Sequence, residues 1–291
     1  MQAIKTEKLT KYYGKARGII DVDLCVESGD FFGFIGPNGA GKSTTIRTLL
    51  GLISASSGRA EIFGRDVVKN KTEILSDVGY LPSETTFYSG MKVSDVISLS
   101  ARLRNKDCAD EARRLCERLE LDTSRKVGEL SFGNRKKLGI VCALQHKPSL
   151  YILDEPTSGL DPLMQREFYS ILEERNEAGA TVFLSSHVLS EVSRYCKSAA
   201  IIRDGKILVS DSVRNLAHTG VKRVFLRNAS AVPENDNIRN VKREGDTVSF
   251  LYSGESEALV RELSQLHFDD VTVLNPALEE VFMHYYTREE K

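Results

Sequence analysis

The chain has 291 residues, a formal net charge of −1 and five cysteines. This length exceeds that of one small domain, and the near-neutral charge offers no broad surface for nucleic acid. No stretch reaches the roughly 18 consecutive apolar residues of a membrane span, and the N-terminus has no apolar signal core, so we expect membrane contact only through a partner. The scattered cysteines, without a C-x-x-C pair, predict reduced buried thiols.

The first motif is a glycine-rich segment between a predicted strand and a predicted helix. Residues 30–35 form an apolar run typical of a buried parallel strand, and residues 44–50 have helical apolar spacing. Residues 36–43 fit the G-x-x-x-x-G-K-S pattern of a phosphate-binding loop. In this pattern backbone N–H groups converge on phosphates, Lys42 reaches the β- and γ-phosphates, and Ser43 ligates Mg²⁺. The alternative, a glycine-rich turn that carries a lysine by chance, leaves the flanking strand and helix unexplained.

The segment of residues 91–147 is predicted to be mostly helical. Apolar residues recur there at helical spacing, with charged residues between them: Leu99, Leu103, Ala112, Leu115 and Leu119. This pattern is typical of short amphipathic helices packed on a core. Plain core packing explains these residues as well as a partner-binding surface does.

A Ser-x-Gly sequence, Ser131-Phe132-Gly133, precedes another helical pattern within this segment. Ser131 is predicted to cap the helix, and a serine and a glycine at a helix start can form an anion site. An ordinary N-cap is the commoner explanation of such a sequence, so this motif alone is a weak signal. The basic run at residues 135–137 is interpreted as the solvent-exposed face of the helix rather than as a docking patch.

Two acidic residues and a histidine follow apolar runs nearer the middle of the chain. Residues 150–153 predict a central parallel strand that delivers Asp154 and Glu155 to the carboxyl edge of the sheet, where ligands bind. Asp154 is expected to hold Mg²⁺, and Glu155 to orient the attacking water; the alternative is a solvated acidic turn. His187 follows the apolar run 181–184 and is expected at the same edge, although a lone histidine there is more often a turn residue.

The order of these motifs resembles that of the ATP-binding subunits of ABC transporters, over most of residues 1–210. The resemblance implies an α/β fold, with a P-loop NTPase core of the ABC ATPase kind and a helical subdomain at about 91–147. It also implies that the helical subdomain contacts a transmembrane permease subunit on a separate chain. We place this ATPase domain at residues 1–219.

The resemblance also implies roles for residues outside the phosphate loop. Tyr13, with Tyr12 as the alternative, is expected to stack on adenine. The segment 130–134 resembles the family signature Leu-Ser-Gly-Gly-Gln, with two departures; its Ser131 and Gly133 are expected to clamp an ATP bound to the opposite subunit. The segment 158–161 matches the loop that communicates across the dimer.

The expected site residues follow from the motifs and the resemblance together. Catalysis is assigned to Glu155, His187 and Lys42. Nucleotide binding is assigned to Tyr13, Gly36, Pro37, Asn38, Gly39, Ala40, Gly41, Lys42, Ser43, Thr44, Ser131, Gly133 and Asp161. Mg²⁺ binding is assigned to Ser43, Asp154 and Ser83. Ser83 stands where the family usually has glutamine. Because serine is shorter, Glu84 or a bridging water is expected to take over the contact that this glutamine makes with Mg²⁺.

Residues 220–291 are predicted to form a small α+β accessory domain. An Asp-Gly hairpin at residues 201–208 comes before it. The domain has predicted strands at 221–226, 247–252 and 271–274 and a helix at 255–266. Residues 276–286 resemble the tail of subunits in the drug- and antibiotic-export branch of the family. His267 and His284 are interpreted as packing or surface residues.

The expected function is therefore an ATPase subunit that uses ATP and Mg²⁺, works as a homodimer or with a related ATPase subunit, and energises an exporter at the cytoplasmic face of the membrane. No nucleic-acid partner is expected. The alternative is a soluble switch of the same family acting on ribosomes or DNA. One cassette and no long heptad run disfavour it. A non-hydrolysing regulatory module is disfavoured because Glu155 and His187 are both present.

Overall fold

The computed structural model describes residues 1–217, 221–229, 231–232 and 237–274. The chain falls into two compact units, Met1–Asp211 and Ser212–Lys291. The first unit contains, in chain order, β1 (Gln2–Tyr13), β2 (Ala16–Glu27), β3 (Phe31–Ile35), α1 (Lys42–Leu49), β4 (Ser57–Ile62), β5 (Arg65–Asp66), α2 (Lys71–Asp77), β6 (Val78–Leu81), α3 (Val93–Arg102), α4 (Ala109–Arg118), α5 (Phe132–Leu144), β7 (Leu150–Asp154), α6 (Pro162–Glu177), β8 (Thr181–Ser186), α7 (Leu189–Tyr195), β9 (Ser198–Arg203) and β10 (Lys206–Ser212, which ends one residue into the second unit).

A six-stranded sheet in the order β10-β9-β3-β8-β7-β6 forms the centre of the first unit. Strands β3, β7 and β8 are buried at every residue, because helices and a second sheet pack against this sheet. Parallel pairing aligns Ile35 with Ser186 and Asp154 with Ser185. The carboxyl ends of these strands therefore meet at one edge, which gathers the loops that follow them.

A second sheet, in the order β2-β1-β4-β5, is antiparallel and packs into the same core. Its Ile4, Leu9 and Val22 belong to one buried cluster with Phe34 and Phe183 of the central sheet. The rings of Phe34 and Phe183 are 5.4 Å apart between centroids, a favourable tilted aromatic pair. Ala40, in the loop after β3, belongs to the same cluster, so the shared core anchors this loop.

The predicted helical segment contains helices α3, α4 and α5. Leu115 and Leu119 are buried as expected, whereas Leu103 is exposed. The expectation that Leu103 packs on the core was wrong, because Leu103 follows the last residue of α3, where the helical face that buries Val96 and Ile97 ends. Helical spacing continues in the sequence after the helix has stopped.

The second unit contains α8 (Val213–Ala217), β11 (Val221–Arg227), β12 (Ile238–Glu244), β13 (Thr247–Ser253), α9 (Ser256–Leu263) and β14 (Asp270–Leu274). Its antiparallel sheet has the order β12-β13-β11-β14. A separate buried cluster joins Val224 and Phe250 of the sheet to Leu259 and Leu263 of α9. Strand β12 was not predicted, because its mostly exposed, charged residues lack the apolar alternation of a half-buried strand. The exporter-like tail at 276–286 and His284 lie outside the described residues.

Candidate functional site

The loop between β3 and α1 has backbone conformations that require glycine. Gly39 and Gly41 have φ angles of +82° and +112°, in the region that side chains disfavour. At Gly36 a Cβ atom would lie 2.5 Å from the carbonyl oxygen of Ile202. Helix α1 begins at Lys42, so the unpaired N–H groups of its first turn point into the loop. The geometry makes an anion site for phosphates.

Lys42 lies inside this loop and reaches the end of the neighbouring strands. Its ammonium nitrogen Nζ donates hydrogen bonds to the carbonyl oxygens of Gly36, at 2.6 Å, and Pro37, at 3.2 Å. The same nitrogen lies 3.2 Å from Oε1 of Glu155, and both side chains are largely buried. The structure thus brings the loop lysine and the acidic residue after β7 into direct contact.

Asp154 and Glu155 are fixed by the end of β8. The hydroxyl of Ser185 donates a 2.5 Å hydrogen bond to Oδ1 of Asp154, which is itself buried. The backbone N–H of Glu155 lies 3.2 Å from both the carbonyl oxygen and the hydroxyl oxygen of Ser185. A solvated acidic turn is excluded by this burial and bonding. Ser185 was missed in the sequence, since the apolar run before it gave no sign that its hydroxyl would face the carboxylates.

His187 meets Glu155 from the other side. Nδ1 of His187 lies 2.7 Å from Oε2 of Glu155, and the histidine side chain remains about half exposed. Glu155 also has a φ angle of +48°, a strained conformation for a residue with a side chain. One carboxylate therefore holds the loop lysine with one oxygen and the histidine with the other.

The Ser-x-Gly motif packs on the segment of residues 158–161. Ser131 caps α5 as predicted, its hydroxyl accepting a 3.2 Å hydrogen bond from the N–H of Asn134. A Cβ atom on Gly133 would lie 2.6 Å from the carbonyl oxygen of Gly159, so the two backbones touch. Asp161 caps α6, and the N–H donors of Met164 and Leu163 hold the pKa of its carboxyl below the usual value.

Tyr13 lies beside the start of α1. A Cβ atom on Gly18 would lie 3.1 Å from the ring of Tyr13 and 3.2 Å from the side chain of Thr44, which places that ring close to the phosphate loop. The ammonium group of Lys11 lies 5.4 Å from the centre of the Tyr13 ring. The ring is about half exposed, as a platform for a base requires. Tyr12 is exposed to a similar degree.

The expectation of a solvent-exposed basic run at 135–137 was wrong for its two lysines. Lys136 is 1% exposed and Lys137 is also buried. Burial lowers the pKa of Lys136 to about 8, against the opposing attraction of the carboxylates of Asp154 and Glu155. Helix α5 is buried on most of its circumference, so its lysines are not on a wet face. In the sequence, the burial of this helix is indicated by the lack of a clear polar stripe along it.

The part of the chain that holds the phosphate loop is similar to known proteins. The sequence profile described as "ABC transporter" matches residues 19–158. The bacitracin transport ATP-binding protein BcrA of Bacillus licheniformis is 42% identical over 212 residues, which are 70% of this chain and 68% of that protein. The chain belongs to the ABC transporter family, as an ATP-binding subunit.

Solved structures of ABC transporter proteins share the fold of this ATP-binding subunit. One of them, an ATP-binding subunit of an ABC transporter, is 30% identical to this chain, with a TM-score of 0.68. The match spans 74% of this chain and 91% of that subunit. An ATP-binding cassette in its ADP conformation is 26% identical, covers 74% of this chain and 94% of that chain, and has a TM-score of 0.63. The α/β ABC ATPase fold and the ATPase class predicted from the sequence are confirmed.

Two further findings bear on the metal and the membrane. Among the described residues no group of three or more His, Cys, Asp or Glu side chains could hold a metal ion. The oxygen donors present, the carboxylate of Asp154 and the hydroxyl of Ser43, fit a hard cation that is held mainly by phosphates and water, as Mg²⁺ is. No helix in the described parts of the chain is both long and apolar enough to cross a membrane.

Proposed function

We propose that this ATPase subunit drives export through a separate transmembrane permease at the cytoplasmic face of the membrane. The relative BcrA is named for bacitracin transport, and it supports the drug- and antibiotic-export branch for this chain. The observation that carries the chemistry is the contact of Lys42 and His187 with the two oxygens of Glu155. The membrane partner is inferred from the family, because ABC ATP-binding subunits work with transmembrane components.

The proposed nucleotide contacts begin with the loop of residues 36–43. Its N–H groups and the first turn of α1 bind the phosphates, and Lys42 moves from Glu155 to the β- and γ-phosphates. The adenine stacks on Tyr13, beside Thr44. Mg²⁺ held by Ser43 and Asp154 would neutralise charge on the phosphates when it is bound. The carbonyl oxygen of Ser83 accepts a hydrogen bond from the ammonium group of Lys136, whose charge would repel a second cation there, so we expect Ser83 to contact Mg²⁺ through its hydroxyl.

Glu155 is the proposed group that orients the attacking water. Release of Lys42 toward phosphate frees one oxygen of the carboxylate to accept a hydrogen bond from that water. His187 contacts the other oxygen through Nδ1. The exposed part of its ring would contact the γ-phosphate. Ser185 keeps Asp154 and the backbone of Glu155 in place during this exchange.

Dimer closure is the proposed link between hydrolysis and transport. Ser131 and Gly133 of one copy would cover the ATP held by the other copy, in a two-fold arrangement with two identical sites. Closure on ATP binding and opening after hydrolysis would then move the permease. The unit after residue 211 is proposed to regulate or stabilise this dimer.

The test is Glu155→Gln, with Glu177→Gln as the matched control on the exposed face of α6. Tagged wild-type and variant proteins are purified from detergent-solubilised membranes of the native host, and ATP turnover, oligomeric state and co-purifying proteins are measured. Glu155→Gln keeps the shape of the side chain and removes its charge, so it should lower turnover by about 100-fold or more and retain an ATP-bound dimer. Glu177→Gln should behave as wild type.

Two outcomes would contradict the proposal. Normal turnover by the Glu155→Gln protein would refute the role of this carboxylate. Recovery of the wild-type protein only as a free dimer, or with ribosomes, in place of a polytopic membrane protein would refute the transporter assignment and favour a switch protein.

A further inference from the structure

Lys136 makes a buried connection between helix α5 and the loop after β6. Its ammonium nitrogen donates hydrogen bonds to the carbonyl oxygens of Ser83, at 2.9 Å, and Pro82, at 3.2 Å. The side chain is 1% exposed, so its ammonium group is shielded from water. A cation so buried is costly unless its hydrogen bonds are made, and here two backbone carbonyls make them.

The loop that Lys136 holds lies directly beside the catalytic carboxylates. In the parallel pairing of β6 and β7, Leu81 is aligned with Leu153, so Pro82 and Ser83 leave the sheet next to Asp154 and Glu155. The lowered pKa of Lys136 reflects burial, and the attraction of both carboxylates partly offsets it. The ammonium group therefore lies within the electrostatic reach of the site.

Helix α5 and this loop are also packed without space between them. A Cβ atom on Gly139 would lie 2.5 Å from Cγ2 of Thr85 and 2.9 Å from a methyl carbon of Leu81. The hydroxyl of Thr85 lies 3.3 Å from the carbonyl oxygen of Arg135. The loop thus contacts the helix at several points, and Lys136 makes the contact that involves a charge. Glu84, the sequence-based candidate for the metal contact in place of Ser83, is exposed.

A lysine is a poor choice for stability alone at this position. An apolar side chain of similar length would fill the same volume without the cost of burying a charge. The two carbonyl oxygens and the two nearby carboxylates explain why a cation is nevertheless compatible with the site. The side chain begins on the helix that carries Ser131 at its N-cap, and it ends at the loop beside Asp154.

We propose that Lys136 is a positioning residue that couples the nucleotide site to the signature helix α5: it fixes the loop at residues 82–83, beside the catalytic carboxylates, to the helix that Ser131 caps. This proposal rests on the proposed function. In it, Lys136 connects this loop to α5 through the carbonyl oxygens of Pro82 and Ser83. Its loss should loosen the loop and impair catalysis more than nucleotide binding.

The test compares Lys136→Met with Lys137→Met, the adjacent buried lysine on the same helix, which makes neither hydrogen bond to the loop. Amide hydrogen exchange of peptides covering residues 82–88 is measured without nucleotide, together with thermal unfolding and the kcat and KM for ATP. Lys136→Met should speed exchange in these peptides several-fold, lower kcat about tenfold and keep KM within about threefold. Lys137→Met should match wild type, and Lys136→Gln, which retains an N–H donor, should recover part of kcat.

Three outcomes would overturn the proposal. One is wild-type exchange and kcat in Lys136→Met; another is equal loss in Lys137→Met. The third is a loss that appears as lower Tm and faster exchange throughout the chain, with no recovery in Lys136→Gln, because that pattern indicates packing alone. Exchange without nucleotide does not depend on hydrolysis, so an inactive wild-type protein would refute the proposed function and leave the Lys136 test intact.

Discussion

At the scale of single residues, the first unit keeps several ionisable side chains away from water. Lys136 is one, and His146, just after α5, is another. Nε2 of His146 lies 3.3 Å from the carbonyl oxygen of Val78, and burial lowers the pKa of its imidazole to about 4. A buried imidazole whose charged form is disfavoured makes stability depend on pH.

The sign of this pH effect follows from the two states. The pKa of His146 is about 4 in the folded chain, below its ordinary value of 6.5, so the unfolded chain binds a proton at a higher pH. Stability from the neutral imidazole is complete above pH 6.5 and is lost as the pH falls toward 4. Between pH 7.5 and pH 5, wild type should therefore lose about 2 kcal/mol more than His146→Gln, which stays neutral.

The measurement is the free energy of unfolding of both proteins in urea, at pH 7.5 and pH 5 and at equal ionic strength. The carboxylates that also titrate in this range are the same in both proteins, so the difference isolates the histidine. Equal losses in wild type and His146→Gln would show that the imidazole is protonated in the folded chain without cost.

At the scale of elements, the start of α5 and the segment 158–161 form one tightly packed contact within the chain. Gly159 has a φ angle of +82°, and a Cβ atom there would lie 2.3 Å from the ring of Phe132. Phe132 stands where the family signature has glycine, and its ring is about half exposed. The departure from the signature therefore adds an aromatic ring over the neighbouring segment.

Gly159→Ala should be destabilising for two separable reasons. The positive φ angle costs about 1–2 kcal/mol for alanine, and the collision with the Phe132 ring adds to it. In Phe132→Gly the ring is absent, so adding Gly159→Ala there should cost only the φ contribution. A double-mutant cycle of unfolding free energies should give a coupling of at least about 1 kcal/mol. Additive effects would mean that the ring moves aside freely.

Sequence patterns predicted the strands that are buried along their whole length. The mostly apolar runs at 31–35, 150–153 and 181–184 specify buried parallel strands, and the order of strand, loop and helix specifies where their ends meet. The lack of a polar stripe on α5 indicates a buried helix, but the hydrogen-bond partners of Lys136 were not predictable, because they lie in a loop 53 residues earlier in the chain. Strand β12 was missed for the opposite reason, since both of its faces are mostly solvated.

Residue roles that depend on long-range contacts needed the structure. Ser185 follows the apolar run 181–184, and only the pairing of β7 with β8 brings its hydroxyl to Asp154. The meeting of Lys42, Glu155 and His187 could be anticipated from motif order, because the carboxyl ends of neighbouring parallel strands share one edge. That Lys42 and His187 contact different oxygens of the Glu155 carboxylate could not be anticipated from the sequence.

At the scale of the whole molecule, the proposed two-fold dimer divides each ATP site between two copies. Lys42 belongs to the loop of one copy, and Ser131 to the signature helix of the other. In such a dimer, Lys42→Ala and Ser131→Arg should each inactivate both sites when present in both copies. A mixed dimer should regain one complete site, formed by the loop of the Ser131→Arg copy and the helix of the Lys42→Ala copy.

Mixing equal amounts of the two inactive proteins before adding ATP should therefore restore activity. Half of the dimers would be mixed and each would have one complete site out of two, so turnover should reach about a quarter of the wild-type value if sites act independently. The readout is phosphate release as a function of the mixing ratio, with each variant alone as the control. A maximum at equal amounts is expected, whereas no recovery at any ratio would place the loop and the signature helix of each site in the same copy.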